Sequence, residues 1–184
     1  MQAGGLPDGR AGAVGDHGGV TTPTSTQVTL SHVMNATEAN LLGTIHGGNI
    51  MKMVDDCAGV VANRFAQGPA VTAGMDEMTF LTPVRVGDVL HVSAQINWAG
   101  RSSMEVGVRA EADRWDSVAP RVHVASAYLV MVAVDADGQT RPVPELSVET
   151  EEERRRFREA QIRRRHRLAR RDEIRTSRGE GGAA

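Results

Sequence analysis

The sequence predicts an α+β fold: an antiparallel sheet of about five strands wrapped around one long central helix, with an Arg-rich helix added near the C-terminal end. Three observations carry this. Ile50, Met53, Val54, Cys57, Ala58 and Val61 recur at the i, i+3, i+4, i+7 spacing of a helix with one apolar face. Five Val-rich runs of strand character accompany it, bounded by Gly, Pro and Asp. The breaks between the last four runs are short, which suits antiparallel hairpins and is too little for parallel crossovers.

In chain order, residues 1–24 are Gly-, Ala-, Thr- and Pro-rich and hold almost no large apolar group. They are expected to be disordered, because ordering them would bury too little to offset the entropy lost. A strand over residues 25–33 follows, with Val28, Leu30 and His32 alternating with Gln27, Thr29 and Ser31. A loop then leads to Gly47-Gly48, which opens the central helix, and Gln67-Gly68-Pro69 stops it. Strands are predicted over residues 70–81, 89–98, 102–115 and 121–134, and Pro142-Val143-Pro144 ends the sheet. Thr150 with Glu153 has the form of a capping box, and acids followed by arginines complement a helix dipole, so a helix is expected over residues 151–171. Its apolar content is thin (Phe157, Ile162, Leu168), which predicts loose docking and a frayed last dozen residues. The domains read as a disordered segment 1–24, a globular domain 25–146 and an Arg-rich tail 147–184.

A single helix against a single wrapped sheet leaves a helix flank and a sheet edge uncovered, so a homodimer that covers both is expected. Cys57 is the only cysteine and lies on the apolar stripe, which excludes an internal disulfide and reads as core. The six histidines show no metal-ligand spacing, and no phosphate loop is present, so no metal and no cofactor are expected. Two Trp, one Tyr and three Phe leave little for base stacking, which weighs against nucleic acid as a partner. No apolar run is long enough to span a membrane and no leader pattern is present, so a cytoplasmic protein is expected. Residues 1–150 carry nine Lys+Arg against sixteen Asp+Glu, whereas residues 151–184 carry twelve against seven. That asymmetry points to an anionic ligand near the tail, or to a solvated helix of internal Glu–Arg pairs.

The chemistry concentrates in the helix entry. Gly47-Gly48 presents backbone N–H groups at the positive end of a helix dipole, where an oxyanion would be stabilised, although a tight turn needs the same residues. His46 precedes it as a cap or as a base. Asp55 and Asp56 lie on opposite flanks of the apolar stripe. Lys52 stands one turn before Asp56 and makes it an ordinary ion-paired acid. Asp55 is bracketed by Gly48, Met51, Ala58, Gly59 and Ala62, which offer a carboxylate no partner, and an acid so placed is a candidate for function.

Several motifs in order then carry a resemblance. They are Asn40-x-x-Gly43-x-Ile45-His46-Gly47-Gly48 with Met51-Lys52-Met53-x-Asp55-x-x-Ala58-Gly59, Val71-Thr72-Ala73-Gly74-Met75-Asp76, Phe80-Leu81-x-Pro83-Val84-x-Val86-Gly87-Asp88, and Gly100-Arg101-Ser102-Ser103-Met104-Glu105-Val106. Over roughly residues 25–140 the chain resembles the hotdog-fold acyl-CoA thioesterases of the cytosolic acyl-CoA hydrolase type. The resemblance implies a hotdog fold and hydrolysis of acyl-CoA, with Asp55 as general base or nucleophile, Asn40 as catalytic amide and the Gly48 N–H as oxyanion donor. It also implies that Arg101, Ser102 and Ser103 contact CoA, that Thr72 lies on the strand facing the acid, and that His46 and Gly47 adjoin the substrate. A homodimer would hold two composite sites, each with Asn40 from one subunit and Asp55 from the other, with a trimer of dimers as the family's higher assembly. An acyl-CoA sensor without turnover and a hotdog hydratase using His46 remain as alternatives.

Overall fold

Helix α1, Gly47–Ala66, is where the apolar stripe closes into a buried face, in a computed structural model that describes residues 21–179. Its buried side comprises Ile50, Val54, Cys57, Ala58, Val61, Ala62, Phe65 and Ala66. The stripe thus continues a turn beyond Val61, while Met53 sits at its margin, half-buried. The Cys57 thiol donates to the Val92 carbonyl (3.2 Å), and burial pushes its pKa up, which leaves it a small core residue. Gln67 in the left-handed conformation (φ 54°) terminates the helix.

The sheet wraps α1 with β1 (Val28–Val33), β2 (Ala70–Phe80), β3 (Val89–Ala99), β4 (Ser103–Asp113) and β5 (Val122–Ala133). Alternate residues point inward, among them Leu90, Val92, Ala94 and Ile96 of β3 and Leu129 and Met131 of β5, and close the core over the helix. A 3₁₀ turn, Thr24–Thr26, occupies what the alternation suggested as the first residues of β1. The first twenty residues of the expected disordered segment lie outside the described residues.

Every pair is antiparallel, but the order is β1-β3-β4-β5-β2, so β2 does not form the expected hairpin with β3. The reason is that β1 already occupies the free edge of β3. Residues 81–88 therefore cross the N-terminal end of α1, where the Ile45 N–H donates to the Val84 carbonyl (2.8 Å) and Gly87 to Met34 (2.7 Å). This sends β2 to the free edge of β5, and among the described residues nothing pairs with its outer side. Val71 and Phe80 stand exposed on it.

Helix α2, Glu151–Ser177, runs past the expected end at residue 171, and residues 180–184 of the expected frayed tail lie outside the described residues. It packs on the outer face of the sheet, and not loosely. Arg163 donates to both carboxylate oxygens of buried Glu105 (2.6 and 3.2 Å) and lies 3.6 Å above the Tyr128 ring. Glu105 and Tyr128 alternate with core residues Met104, Val106, Ala127 and Leu129, so they point away from α1. Arg167 bonds Asp76 (2.7 Å), and buried Glu153 accepts from Thr24 Oγ1 (2.7 Å) and from the Thr150 N–H (3.0 Å). Charge-assisted anchors replace the apolar contacts that the sequence lacks.

Candidate active site

Asp55 projects from the exposed flank of α1 toward β2, and it is not partnerless as the helical wheel suggested. The Thr72 hydroxyl donates to its Oδ1 at 2.6 Å. Directly after Thr72, β2 carries two register shifts, between Thr72 and Gly74 and between Met75 and Glu77. Such bulges re-aim side chains along an edge strand. The pair opens into a groove of about 560 Å³ lined also by Gly59, Val60, Asn63 and Met131. Asp56, one residue on, is held by Lys52 (2.6 Å), the i, i+4 pair its spacing requires.

The helix entry is built separately. His46 is the N-cap of α1, and its Nδ1 accepts the Gly48 N–H at 2.9 Å, so that donor is engaged in this state of the protein. Gly47 faces the Phe80 ring, which a Cβ would meet at 3.5 Å. Asn40 heads a tight loop. Its Oδ1 accepts from the Leu42 N–H (2.8 Å) and its Nδ2 donates to the Thr44 hydroxyl (3.0 Å). Gly43, with φ 76°, closes that loop in a conformation that disfavours other residues. Neither Asn40 nor Gly48 lines the groove of Asp55. The separation follows from helix geometry: seven residues at 1.5 Å rise place Gly48 about 10 Å from Asp55 along the axis. Within one protomer the two groups are therefore not in contact.

Arg101, Ser102 and Ser103 form the β3–β4 turn, pinned by the Ala133 N–H to the Ser102 carbonyl (2.9 Å) and by Val143 to Arg101 (2.9 Å). Strand register puts Ser103 opposite Val132, and Val132 opposite Val71, next to Thr72. The turn thus stands two strands, about 10 Å, from the Thr72–Asp55 pair, at the same end of the sheet. The arginines of α2 that sequence charge proposed for an anionic ligand lie on the opposite face of the sheet from Asp55 within the protomer. Among the described residues, no group of three or more His, Cys, Asp or Glu is placed to hold a metal ion.

A family model described as the thioesterase superfamily matches residues 42–115, a span that includes Asp55, Thr72 and the β3–β4 turn. A hexameric acyl-CoA thioesterase solved in its apo form is 32% identical, with a TM-score of 0.78 over 82% of this chain and 96% of that one. The chain belongs to the hotdog thioesterase superfamily. The human cytosolic acyl coenzyme A thioester hydrolase is 37% identical over 75% of this chain, which covers only 37% of that protein's length. The Staphylococcus aureus acyl-CoA hydrolase, solved with butyryl coenzyme A and coenzyme A, is 29% identical, with a TM-score of 0.78 over 88% of this chain and 98% of that one. The same Staphylococcus enzyme has been solved with single alanine replacements of an asparagine, an aspartate and a threonine. Their sequence spacing equals that of Asn40, Asp55 and Thr72 in this superfamily member.

Met131 and Phe80 are among the residues of the site that were not given a role from sequence. Met131 lines the groove, with its Sδ 3.4 Å from the Thr72 hydroxyl, and Phe80 covers Gly47. Met131 reads as one more inward residue of a strand, and only the β2–β5 register reveals that it faces Thr72. Phe80 closes a strand run and gives no sign of a helix start beside it.

Proposed function

We propose that this chain hydrolyses acyl-CoA thioesters to free fatty acid and CoA at two composite sites of a homodimer. The observation that carries the reading is the Thr72–Asp55 pair, a carboxylate fixed by a hydroxyl beside an unpaired edge strand. Pairing of two β2 edges around a two-fold axis would bring the helix entry of one subunit toward the groove of the other. Asn40 and Gly48 then serve from one protomer and Asp55 with Thr72 from its partner, which resolves the separation of about 10 Å along α1. Assembly of three such dimers accords with the hexameric relative.

In the reaction, Gly48 N–H and Asn40 Nδ2 polarise the thioester carbonyl, which requires His46 Nδ1 to yield the Gly48 N–H to substrate oxygen. Asp55 takes a proton from water as its oxygen attacks the carbonyl carbon, the C–S bond breaks, and the CoA sulfur leaves with that proton. Thr72 holds Asp55 Oδ1 and leaves Oδ2 for the water. Arg101, Ser102 and Ser103, at the same end of the sheet, contact the CoA moiety.

Asp55→Asn is expected to lower turnover of acyl-CoA by ~10²-fold or more, the scale of a lost general base, with the oligomer intact. Asp56→Asn is expected to change turnover little, because its carboxylate is held by Lys52. Unchanged hydrolysis in Asp55→Asn overturns the assignment. Acyl-CoA binding by the wild-type protein with no turnover would make it a carrier or sensor instead.

A further inference from the structure

The outer face of the sheet and α2 do not close fully on one another. Between them lies a cavity of about 210 Å³, walled by Asn97, Arg109 and Tyr128 of the sheet and by Arg155, Arg156 and Glu159 of α2. At ~30 Å³ per molecule it has room for about seven waters. It is separated from Asp55 by the thickness of the sheet.

Two independent features distinguish it from a hydrated gap. The first is Asn97, which is 2% exposed and whose Oδ1 meets no donor among the described residues. Its Nδ2 donates to buried Glu105 (3.3 Å), so the amide is oriented and its oxygen is left over. Asn97 is the extra residue of a β-bulge between Ile96 and Trp98, and its amide lies across Gly107, where a Cβ would come within 2.3 Å of Nδ2. The space that Gly107 leaves open is therefore filled by this amide. A buried acceptor held this way is destabilising until a donor reaches it.

The second feature is charge. Three guanidiniums line the cavity against one carboxylate, Glu159, which bonds Arg155 (2.6 Å). The other partners of these arginines stand outside the lining: Glu111, half-buried, and His123 beside Arg109, and Glu152, exposed, for Arg155 and Arg156. Exposed pairs of that kind contribute little and yield readily to a better acceptor. An excess of two positive charges from opposite walls suits a dianion, and guanidinium forks match phosphate oxygens.

We propose that this cavity binds a phosphate monoester whose organic part carries an N–H or O–H donor for Asn97 Oδ1. The phosphate sits among Arg109, Arg155 and Arg156, and the ester group reaches the bulge. The site is independent of the acyl-CoA reading.

The test is calorimetric titration of the full chain with adenosine monophosphate, glycerol 3-phosphate and inorganic phosphate, at low and high salt. Expected is one site per chain for at least one of the two esters, weaker binding of inorganic phosphate, and loss of affinity with salt. Tighter binding of the nucleotide assigns a nucleotide site, and tighter binding of glycerol 3-phosphate assigns a small phosphorylated metabolite; either supports the proposal. Arg109→Gln and Arg156→Gln should each weaken binding about tenfold or more, with the thermal midpoint and CoA binding unchanged. No heat from any of the three overturns it. So do equal affinity for inorganic phosphate and both esters, wild-type affinity in both variants, and displacement of the ester by CoA.

Discussion

The two faces of the sheet are covered by two helices on different physical terms. Inside, α1 is held by an apolar stripe, with Val54, Cys57, Ala58, Val61 and Ala62 all buried to 1% exposure or less. Outside, α2 buries only Glu153 and Ala160 and is held by Arg163 on Glu105, Arg167 on Asp76 and the Glu153 cap. Hydrophobic contact is spread over many residues and is non-directional. Ionic anchors are few and fail one at a time, because a buried carboxylate without its partner is costly. The inner helix is thus part of one cooperative core, and the outer helix is a separable element with a few points of attachment.

The sharpest way to break that comparison is Arg163→Ala. Leaving Glu105 unpaired under α2 should cost about 3–5 kcal/mol. Undocking of α2 lets Glu105 regain water, so the expected outcome is rapid proteolysis within α2 while the core melts as before. A global collapse of the melting temperature would show that the two helices form one unit. Leu129→Ala on the inner face is the counterpart, and should cost about 2–5 kcal/mol in a single cooperative transition seen by chemical denaturation. Replacing both members of the outer pair, Arg163→Met with Glu105→Gln, is expected to keep α2 docked, since it leaves no buried charge unpaired and keeps an acceptor for the Asn97 amide.

A smaller effect should appear with pH. Burial pushes the Glu153 carboxyl up, but hydrogen bonds from the Thr150 N–H, the Thr24 hydroxyl and the Glu149 and Thr24 N–H groups outweigh it and hold the pKa at about 2. A carboxyl depressed in the folded state adds stability above its unfolded pKa and loses it on protonation. The α2 anchor should therefore be intact above about pH 4.5, the ordinary value, and weaken as pH falls toward 2. Far-UV circular dichroism in that window should report loss of helix, and Glu153→Gln should reduce the pH dependence, leaving the part that Glu152 contributes. The smallest effect belongs to Lys52→Ala, whose pair with Asp56 is exposed and screened by solvent, so its loss should leave the melting temperature nearly unchanged.

The site divides along the same lines. The wheel separated Asp55 from Asp56 because the i, i+4 relation of Lys52 to Asp56 is a property of the helix alone. That Thr72 is the group meeting Asp55 follows from β2 passing that flank, and the bulges directly after it leave no mark in the alternation. Likewise Asn40 and Gly48 carry the residue types of a donor and an oxyanion site. The helix rise, however, sets them apart from Asp55 in one subunit.

By itself the sequence determined what local periodicity controls: the central helix and its buried face, five strands, the capping box of α2, and the pairing of Asp56 with Lys52. Those features depend on residues within a turn or two of each other, where spacing is geometry. Only the tertiary structure decided the strand order and the grip of α2. Whether β2 lies beside β3 or β5 depends on which edge β1 has already taken, and Arg163 reaches Glu105 across 58 residues of chain. Contacts so distant in sequence have no period, and only the packed fold brings their partners together.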